Sequence, residues 1–373
     1  MKPLPPISQV KNAASRYMRV APFLMPSVKR VAYLGPGISS NMGDWAMFLA
    51  HRMSLPQWTI QPVPVRSAPR PVVLAGKVWG LRSVRGICLG GGTLVGTTTY
   101  RHSLQLFADA FPLAPLFTLG VGVEDPNFVG RRSLTTIHEL RQWAHMLRRF
   151  PAVNVRGPDS ARILADVGVE AKVTGDPALL LGDLIPLPHE PSGLIALNFG
   201  ITTELWGSNP ALLMEKITAL GRQIVRTGKK IRLIPVWPRD LPKVHELAAR
   251  IPHGVEIRNH IGDLPGLLSS IRECDLLIGM KLHSVVFAAS VFVPAIAIEY
   301  RPKCADFQRS IGQTDYIVRT DSFDVVTVSD MADQILSDRI AAVDQLALGV
   351  RGRRDALRLA IRESEDKVLA ASG

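Results

Sequence analysis

One histidine in this 373-residue sequence has neighbours that suit proton transfer beside an anion. It lies in the segment Gly279–Ser284 (GMKLHS), after the apolar run Leu276–Ile278 and before residues with helical spacing. A histidine at the start of a helix, with a lysine two residues before it, can move protons next to a bound anion. A lone histidine is more often structural, but this position favours chemistry. We therefore predict a catalytic role for His283 and binding roles for Lys281 and Ser284.

A second basic residue follows another apolar run. Arg156 comes after Val153–Val155 and just before a predicted helix. A guanidinium there can bind a carboxylate or phosphate with two parallel hydrogen bonds, so Arg156 is the second predicted catalytic residue. The alternative is a surface ion pair. Asp176, which lies before Pro177, is interpreted as a turn-forming residue.

A glycine-rich turn, Gly35–Asp44 (GPGISSNMGD), joins the first predicted strand to the helix Trp45–Arg52. Backbone N–H groups at such a helix start suit an anion. The turn lacks the G-x-G-x-x-G spacing of a dinucleotide-binding motif. Asn41, Gly43 and Asp44 are its candidate binding residues. The alternative for Asp44 is the helix N-cap.

A second turn, Gly90–Gly92, follows the predicted strand Gly86–Leu89. Consecutive glycines let a ligand approach the backbone closely, so Gly91 and Gly92 are also candidate binding residues. A tight turn without a ligand is the alternative. Gly120–Gly122 is interpreted as a turn or packing contact.

Apolar runs of strand length alternate with segments of helical spacing. This alternation predicts α/β architecture with parallel sheets and a ligand site at the carboxyl ends of the strands. The predicted strands are Arg30–Leu34, Gly86–Leu89, Leu116–Gly120, Val153–Val155, Leu194–Asn198, Lys230–Pro235, Leu276–Ile278 and Ala295–Ile298. The predicted helices include Ser133–Arg149, Ser160–Val167, Pro210–Thr227 and Leu282–Val291.

The domain boundary is predicted at Leu181–Ser192, which holds three prolines and no periodicity. The predicted units are a basic N-terminal extension (1–29), an N-terminal Rossmann-like domain (30–183), a C-terminal Rossmann-like domain (192–330) and C-terminal helices (331–373). The last unit is predicted as two amphipathic helices with a break near Gly349 and Gly352.

The three cysteines are far apart and form no metal-ligand spacing, which indicates a reducing compartment and no metal site. Prolines stand near the N-terminus where a signal peptide would have its apolar run. The longest apolar run, 285–298, has 14 residues and contains Pro294, too short to span a bilayer. These features predict a cytoplasmic protein.

The positive charge is concentrated in the first part of the chain. The net charge is +12, and the first 100 residues hold 12 Lys/Arg and one acidic residue. Such a charge attracts polyanions: an anionic membrane surface, a phosphorylated substrate or nucleic acid. No nucleic-acid-binding motif accompanies it, so nucleic acid is not predicted as a partner. The stretch Val10–Arg30 could lie on a membrane; the alternative is a solvated tail.

In this order, the segments resemble the polysaccharide pyruvyl transferase family. The likeness extends over Val31–Phe307 and rests on six landmarks: Asn41-x-Gly43-Asp44, Gly90–Gly92, Val155–Gly157 with Ser160, Gly175–Pro177, Lys281–Ser284 and Tyr300-x-x-Lys303. One departure is Lys281, where many relatives would have arginine. The resemblance implies a GT-B-like fold, two Rossmann-like doubly wound parallel-sheet domains around a cleft.

The resemblance also implies the reaction: transfer of pyruvate from phosphoenolpyruvate to a saccharide acceptor, forming a ketal. Phosphoenolpyruvate is then a co-substrate, and no cofactor or metal is expected. Its two anionic groups would meet Arg156, Lys281 and Lys303, and His283 would serve as acid and base. A lipid-linked acceptor would suit the basic first 100 residues, with the protein peripheral at the inner face of the plasma membrane. A GT-B glycosyltransferase using a nucleotide sugar and a non-catalytic assembly protein remain alternatives.

Overall fold

The structure is a computed structural model that describes residues 29–37, 39–63, 65, 84–128, 135–184, 192–200 and 204–371. Within these residues, helices flank three sheets in which every paired strand is parallel. The predicted basic extension lies, apart from Lys29, outside the described residues.

The first half contains two four-stranded sheets. One has the order β2-β1-β3-β5 and the other β4-β6-β7-β8. The strands are β1 (Arg30–Leu34), β2 (Thr59–Pro62), β3 (Val84–Leu89), β4 (Gly92–Val95), β5 (Leu116–Thr118), β6 (Val121–Val123), β7 (Asn154–Val155) and β8 (Lys172–Val173). The helices are α1 (Met42–Ser54), α2 (Thr98–Ala110), α3 (Ile137–Leu147) and α4 (Pro158–Ala165), followed by a 3₁₀ helix, Pro177–Leu184.

The second half is built on one six-stranded sheet of order β11-β10-β9-β12-β13-β14. Its strands are β9 (Leu194–Asn198), β10 (Lys230–Leu233), β11 (Val255–Ile257), β12 (Leu276–Gly279), β13 (Ala295–Glu299) and β14 (Ile317–Arg319). The helices are α5 (Pro210–Arg226), α6 (Leu241–Arg250), α7 (Leu264–Arg272), α8 (Leu282–Ser290), α9 (Pro302–Ser310), α10 (Val325–Ser337) and α11 (Arg339–Ala370).

The central strands of each half are buried along their whole length, as β1, β12 and β13 show. Because helices cover both faces of a parallel sheet, such strands are apolar without alternation, which is why the short apolar runs predicted them. Both halves therefore have the doubly wound architecture that the sequence predicts.

The start of α1 differs from the prediction. The helix begins at Met42, and the side chain of Asn41 accepts a hydrogen bond from the N–H of Gly43 at 3.0 Å. Asn41 is therefore the N-cap, and the alternative that gave Asp44 this role is wrong. Asp44 lies in the first turn, where a carboxylate also interacts favourably with the helix dipole.

The C-terminal helices also correct a prediction. The break lies at Asp338, whose side chain accepts a hydrogen bond from the N–H of Ala341, and α11 continues without interruption through Gly349 and Gly352. A Cβ at Gly349 would lie 2.1 Å from the carbonyl oxygen of Ile311. That glycine therefore permits close packing and does not end a helix.

Helix α11 returns to the first half of the chain. Val368 packs against Gly86, and Ala360 and Val368 belong to the same hydrophobic cluster as Val31 and Phe117. Among the described residues, no helix is both long and apolar enough to cross a membrane.

The predicted boundary begins inside packed structure. Leu181 is fully buried, and a Cβ at Gly182 would lie 1.7 Å from the carbonyl oxygen of Ser290. The 3₁₀ helix thus packs tightly on α8. Residues 185–191 lie outside the described part of the chain, and the domain limits stay a prediction.

Candidate active site

A cavity of about 500 Å³ lies between the two halves, where residues that follow strands of both halves meet. Seven of the ten predicted site residues line it. They are His283, Arg156, Asn41, Asp44, Gly92, Lys281 and Lys303. The remaining lining residues are Pro36, Met47, Thr93, Leu94, Thr97, Tyr100, Glu124, Glu204, Val236, Trp237, Leu282, Tyr300 and Arg301.

Three predicted binding residues do not line the cavity. Gly43 lies under the ring of His283, because a Cβ there would be 2.1 Å from Nδ1 of the histidine. Gly91 packs against the sulfur of Met47. Ser284 is fully buried, and its hydroxyl donates to the carbonyl oxygen of Lys281 at 2.7 Å. These residues lie behind those that line the cavity, and their binding roles stay predictions.

His283 lies at the start of α8, where the sequence predicts it, with a side chain that is 14% exposed. Burial, followed by the positive charges of Lys303 and Arg156, lowers the pKa of His283 to about 3. The ring is therefore neutral at pH 7 in the free protein. Because the neighbouring cations disfavour its protonation, a bound anion that neutralises them would raise this pKa.

Arg156 is only 1% exposed, so the alternative of a surface ion pair is wrong. Its Nη2 donates to Oγ1 of Thr93 at 3.1 Å. Its Nη1 lies 3.8 Å from Oδ2 of Asp176, and its Nε lies 3.9 Å from Oδ2 of Asp306. The guanidinium therefore lies between two buried carboxylates at the edge of the cavity.

Lys303 is the cation that faces the cavity without an ion-pair partner among the described residues. Burial, followed by the nearby positive charge of Arg301, lowers its pKa to about 7; Arg156 acts in the same direction. Its ammonium nitrogen lies 5.1 Å from the centre of the Tyr300 ring. An anion in the cavity would stabilise the charged form of this lysine.

Lys281 occupies a different environment. Its Nζ lies 3.5 Å from Oδ1 of Asp240 and above the rings of Trp237 and Tyr300. Its backbone N–H donates to Oδ1 of Asn198 at 2.9 Å. Burial lowers its pKa, and Asp240 opposes that shift. Lys281 therefore brings a partly compensated charge to the cavity.

The carboxyl of Asp44 lies near this basic cluster. Burial raises its pKa, whereas the charge of Lys303 and a hydrogen bond from Ser39 lower it. Asp44 lines the same cavity as Lys303, and its binding role stays a prediction.

Arg301 is the principal cavity residue that sequence reasoning missed. It donates to both carboxylate oxygens of Glu124, at 3.1 and 2.9 Å, and to Glu204 at 3.2 Å. Glu124 follows β6 and Arg301 follows β13, so this contact joins the two halves. Glu124 and Arg301 could both have been found from the rule that polar residues after parallel strands meet at one edge of the sheet.

Asp306 was also missed, and it explains the motif around Arg156. Its carboxylate accepts hydrogen bonds from the N–H groups of Asp159 and Ser160 and from the Ser160 hydroxyl. A Cβ at Gly157 would lie 2.2 Å from Asp306. A residue of α9 therefore caps α4 of the other half, and no local sequence signal reveals such a contact.

Known structures with the same architecture are GT-B glycosyltransferases and epimerases, and this chain has a GT-B-like fold. Similar structures include Anabaena HepE with UDP and glucose (TM-score 0.53, 12% identity, 92% of this chain and 100% of that one). Another is UDP-GlcNAc 2-epimerase from Neisseria meningitidis bound to UDP-GlcNAc (TM-score 0.56, 12% identity, 91% and 100%). At such identities the likeness shows the fold alone.

The sequence profile of the polysaccharide pyruvyl transferase family matches residues 73–302, more than half of the chain. The chain therefore belongs to this family, and it is a transferase. A comparison with curated proteins found no match.

Proposed function

We propose that this protein transfers pyruvate from phosphoenolpyruvate to a sugar of an exopolysaccharide, capsule or cell-wall polysaccharide precursor, forming a cyclic ketal. The observation that supports this proposal most is Lys303, a cavity lysine with no ion-pair partner among the described residues. Its pKa is depressed by burial and by neighbouring cations. A small, highly charged donor would relieve that repulsion on binding.

The donor carries a phosphate and a carboxylate, and the cavity offers two lysines. Lys303 would take one anionic group with a full charge. Lys281 would take the other, because its Nζ also faces the cavity although Asp240 compensates it in part. Arg156 would act mainly through its field, since its guanidinium is nearly inaccessible. The donor would thus lie beside the ring of His283.

Ketal formation moves two protons. The first sugar hydroxyl bonds to C2 of the enol, and its proton ends on C3, which becomes a methyl group. Phosphate then leaves C2, the second hydroxyl bonds there, and its proton ends on the phosphate. His283, neutral before the donor binds, would accept each hydroxyl proton and pass it on.

The test incubates the protein with phosphoenolpyruvate and a panel of hexosides. We expect a mass gain of one pyruvyl group on a sugar together with release of inorganic phosphate, and neither product with His283→Ala. Release of a nucleotide from a nucleotide sugar, with phosphoenolpyruvate untouched, would instead support a glycosyltransferase.

We propose that the acceptor is lipid-linked. We also propose that the protein acts in the cytoplasm, at the inner face of the plasma membrane. This part rests on the sequence, since 12 of 13 charged residues among the first 100 are basic. Each basic residue near an anionic bilayer contributes roughly 1 kcal/mol, screened by salt. We expect salt-reversible binding to anionic vesicles at low ionic strength.

The variant for this test neutralises Lys11, Arg16, Arg19 and Lys29 together and keeps Arg30, which was predicted with them but is buried in β1. It should bind the vesicles less tightly while retaining activity on a soluble sugar, because these residues precede the first glycine-rich turn. If the wild-type protein does not bind anionic vesicles at low salt, the membrane part of the proposal is wrong.

A further inference from the structure

Three buried polar atoms face one another beneath the cavity floor. Oδ2 of Asp176 lies 3.9 Å from Nε2 of His283 and 3.8 Å from Nη1 of Arg156. None of the three has a hydrogen-bond partner among the described residues. Buried polar atoms are rarely left without partners, and these distances are too long for hydrogen bonds. The carboxylate oxygen can therefore still accept a hydrogen bond, and the imidazole and guanidinium nitrogens beside it have no other partner among the described residues.

Asp176 is fixed by its other oxygen. Oδ1 accepts a hydrogen bond from the N–H of Ala178 at 3.0 Å, at the start of the 3₁₀ helix. This bond has the geometry of the turn-forming role predicted from the sequence. It occupies Oδ1 alone and leaves Oδ2 directed at the imidazole and the guanidinium. The side chain is fully buried, so bulk water does not compete for that oxygen.

We propose that Asp176 is a positioning residue that keeps the proton of neutral His283 on Nε2, so that Nδ1 is the nitrogen that exchanges protons with the sugar. A carboxylate opposite one imidazole nitrogen favours the tautomer with hydrogen on that nitrogen and stabilises the imidazolium once it forms. The separation of 3.9 Å closes to hydrogen-bond length in the working complex, as catalytic contacts often do.

The other face of the ring agrees with this assignment. Nδ1 lies above Gly43, where a Cβ would come within 2.1 Å of it. Glycine at this position therefore leaves room for the Nδ1 edge, which a larger residue would displace. The other charged groups that act on His283 are Lys303 and Arg156, and both are cations that oppose its protonation. Asp176 is the carboxylate that faces the ring and can offset them.

The reaction part of this inference rests on the proposed function, but its first test does not. The protein is labelled with ¹⁵N-histidine, and the tautomers are read from the ring nitrogen shifts at pH 7. The chain has nine histidines, so the His283 signal is the one missing from His283→Gln. In the wild type we expect His283 to be protonated on Nε2 and unprotonated on Nδ1. Protonated Nδ1 would overturn the proposal without any variant at Asp176 and whatever the donor is.

The second test is Asp176→Asn, which keeps the acceptor for Ala178 and removes the carboxylate. The Asn amide can donate to Nε2, so we expect the tautomer to reverse. The kcat should fall by about 100-fold or more, as expected when general acid–base catalysis is lost, with a smaller change in the KM for phosphoenolpyruvate.

The matched control is Asp306→Asn, which alters the other buried carboxylate near Arg156 but does not face His283. It should leave the tautomer unchanged. If both variants shift the histidine signal alike, or if Asp176→Asn keeps the wild-type tautomer in a folded protein, Asp176 has only a structural role.

Discussion

Ser160 and Asp306 are 146 positions apart in sequence, yet the Ser160 hydroxyl donates to Oδ2 of Asp306 at 2.7 Å. Oδ1 of the same carboxylate accepts the N–H groups of Asp159 and Ser160. The Ser160 hydroxyl also accepts the N–H of Val123 at 3.1 Å. The helix start beside Arg156 is therefore stabilised by a residue from the opposite half, next to the cavity.

Replacing Asp306 with alanine should destabilise the protein, because it leaves buried N–H groups and a buried hydroxyl without an acceptor. The expected loss in free energy of unfolding is about 1–3 kcal/mol. Chemical denaturation measures it. The control is Asp159→Asn, which removes the exposed ion pair with Arg309 and should cost less than about 1 kcal/mol. Equal losses in the two variants would contradict the capping role.

Replacing Lys303 with methionine should separate binding from stability. The folded-state pKa is about 7 against an ordinary value of 10.5, so the charged form is disfavoured in the folded protein. Removing the amine should therefore raise the melting temperature below pH 7, with no gain from this cause above pH 10.5. The KM for phosphoenolpyruvate should rise at least tenfold. A lower melting temperature with an unchanged KM would refute the assignment.

The same pKa predicts a proton uptake. Between about pH 7 and 10.5 Lys303 is largely neutral in the free protein, and an anionic donor favours its charged form. Binding of phosphoenolpyruvate at pH 8.5 should therefore take up a proton. Calorimetry in buffers of different ionisation enthalpy measures the number of protons taken up on binding. The Lys303→Met variant should show no such uptake.

His283→Ala should reduce turnover by about 100-fold or more in a folded protein, as expected for a general acid and base. Because the pKa of His283 is about 3 in the free protein, this group should add no inflection to log kcat/KM between pH 5 and 9, where the inflection expected near pH 7 is that of Lys303. Steady-state rates from pH 5 to 9 check both statements. Near-normal turnover in the variant would remove His283 from the mechanism.

Arg156→Lys should impair folding and, because a shorter side chain moves the positive charge away from its present position, donor use as well. Lysine keeps the charge but cannot reach Thr93 and both carboxylates at once, since it lacks the planar fork. We expect a lower melting temperature and a higher KM for phosphoenolpyruvate, measured on the same sample. If neither changes, the guanidinium has no special role.

Two glycines of α11 provide a matched pair. Gly349→Ala places a Cβ 2.1 Å from the carbonyl oxygen of Ile311, whereas a Cβ at Gly352 meets open space. The first substitution should lower the melting temperature. The second should raise the free energy of unfolding by up to about 1 kcal/mol, because alanine favours helix more than glycine does. Equal effects would mean that α11 does not pack as described.

The strands around the site could be predicted from sequence because buried parallel strands are short apolar runs, as in β1 and β9. Most of the site followed from the same principle, since residues after such strands meet at one edge. His283 and Lys281 were found in this way, whereas Lys303 came from the family resemblance; all three line the cavity.

The remainder depends on contacts that a sequence does not display. Gly43 and Gly91 have the composition of a ligand-binding turn, but each makes room for a side chain, His283 and Met47 respectively. Conversely, Asp176 was interpreted as a turn-forming residue, because nothing local shows that its second oxygen faces His283. Only the three-dimensional structure distinguishes a glycine that leaves room for a ligand from one that leaves room for another side chain of the protein.

The return of α11 to the first sheet has a consequence for synthesis. Ala360 and Val368 complete the apolar cluster around Val31 and Phe117, yet they leave the ribosome after all the strands of both halves. The second half can bury its own sheet earlier, while one apolar patch of the first half stays exposed until α11 has been synthesised. A nascent chain stalled before Ala360 should therefore hold a more protease-sensitive N-terminal half than the released protein.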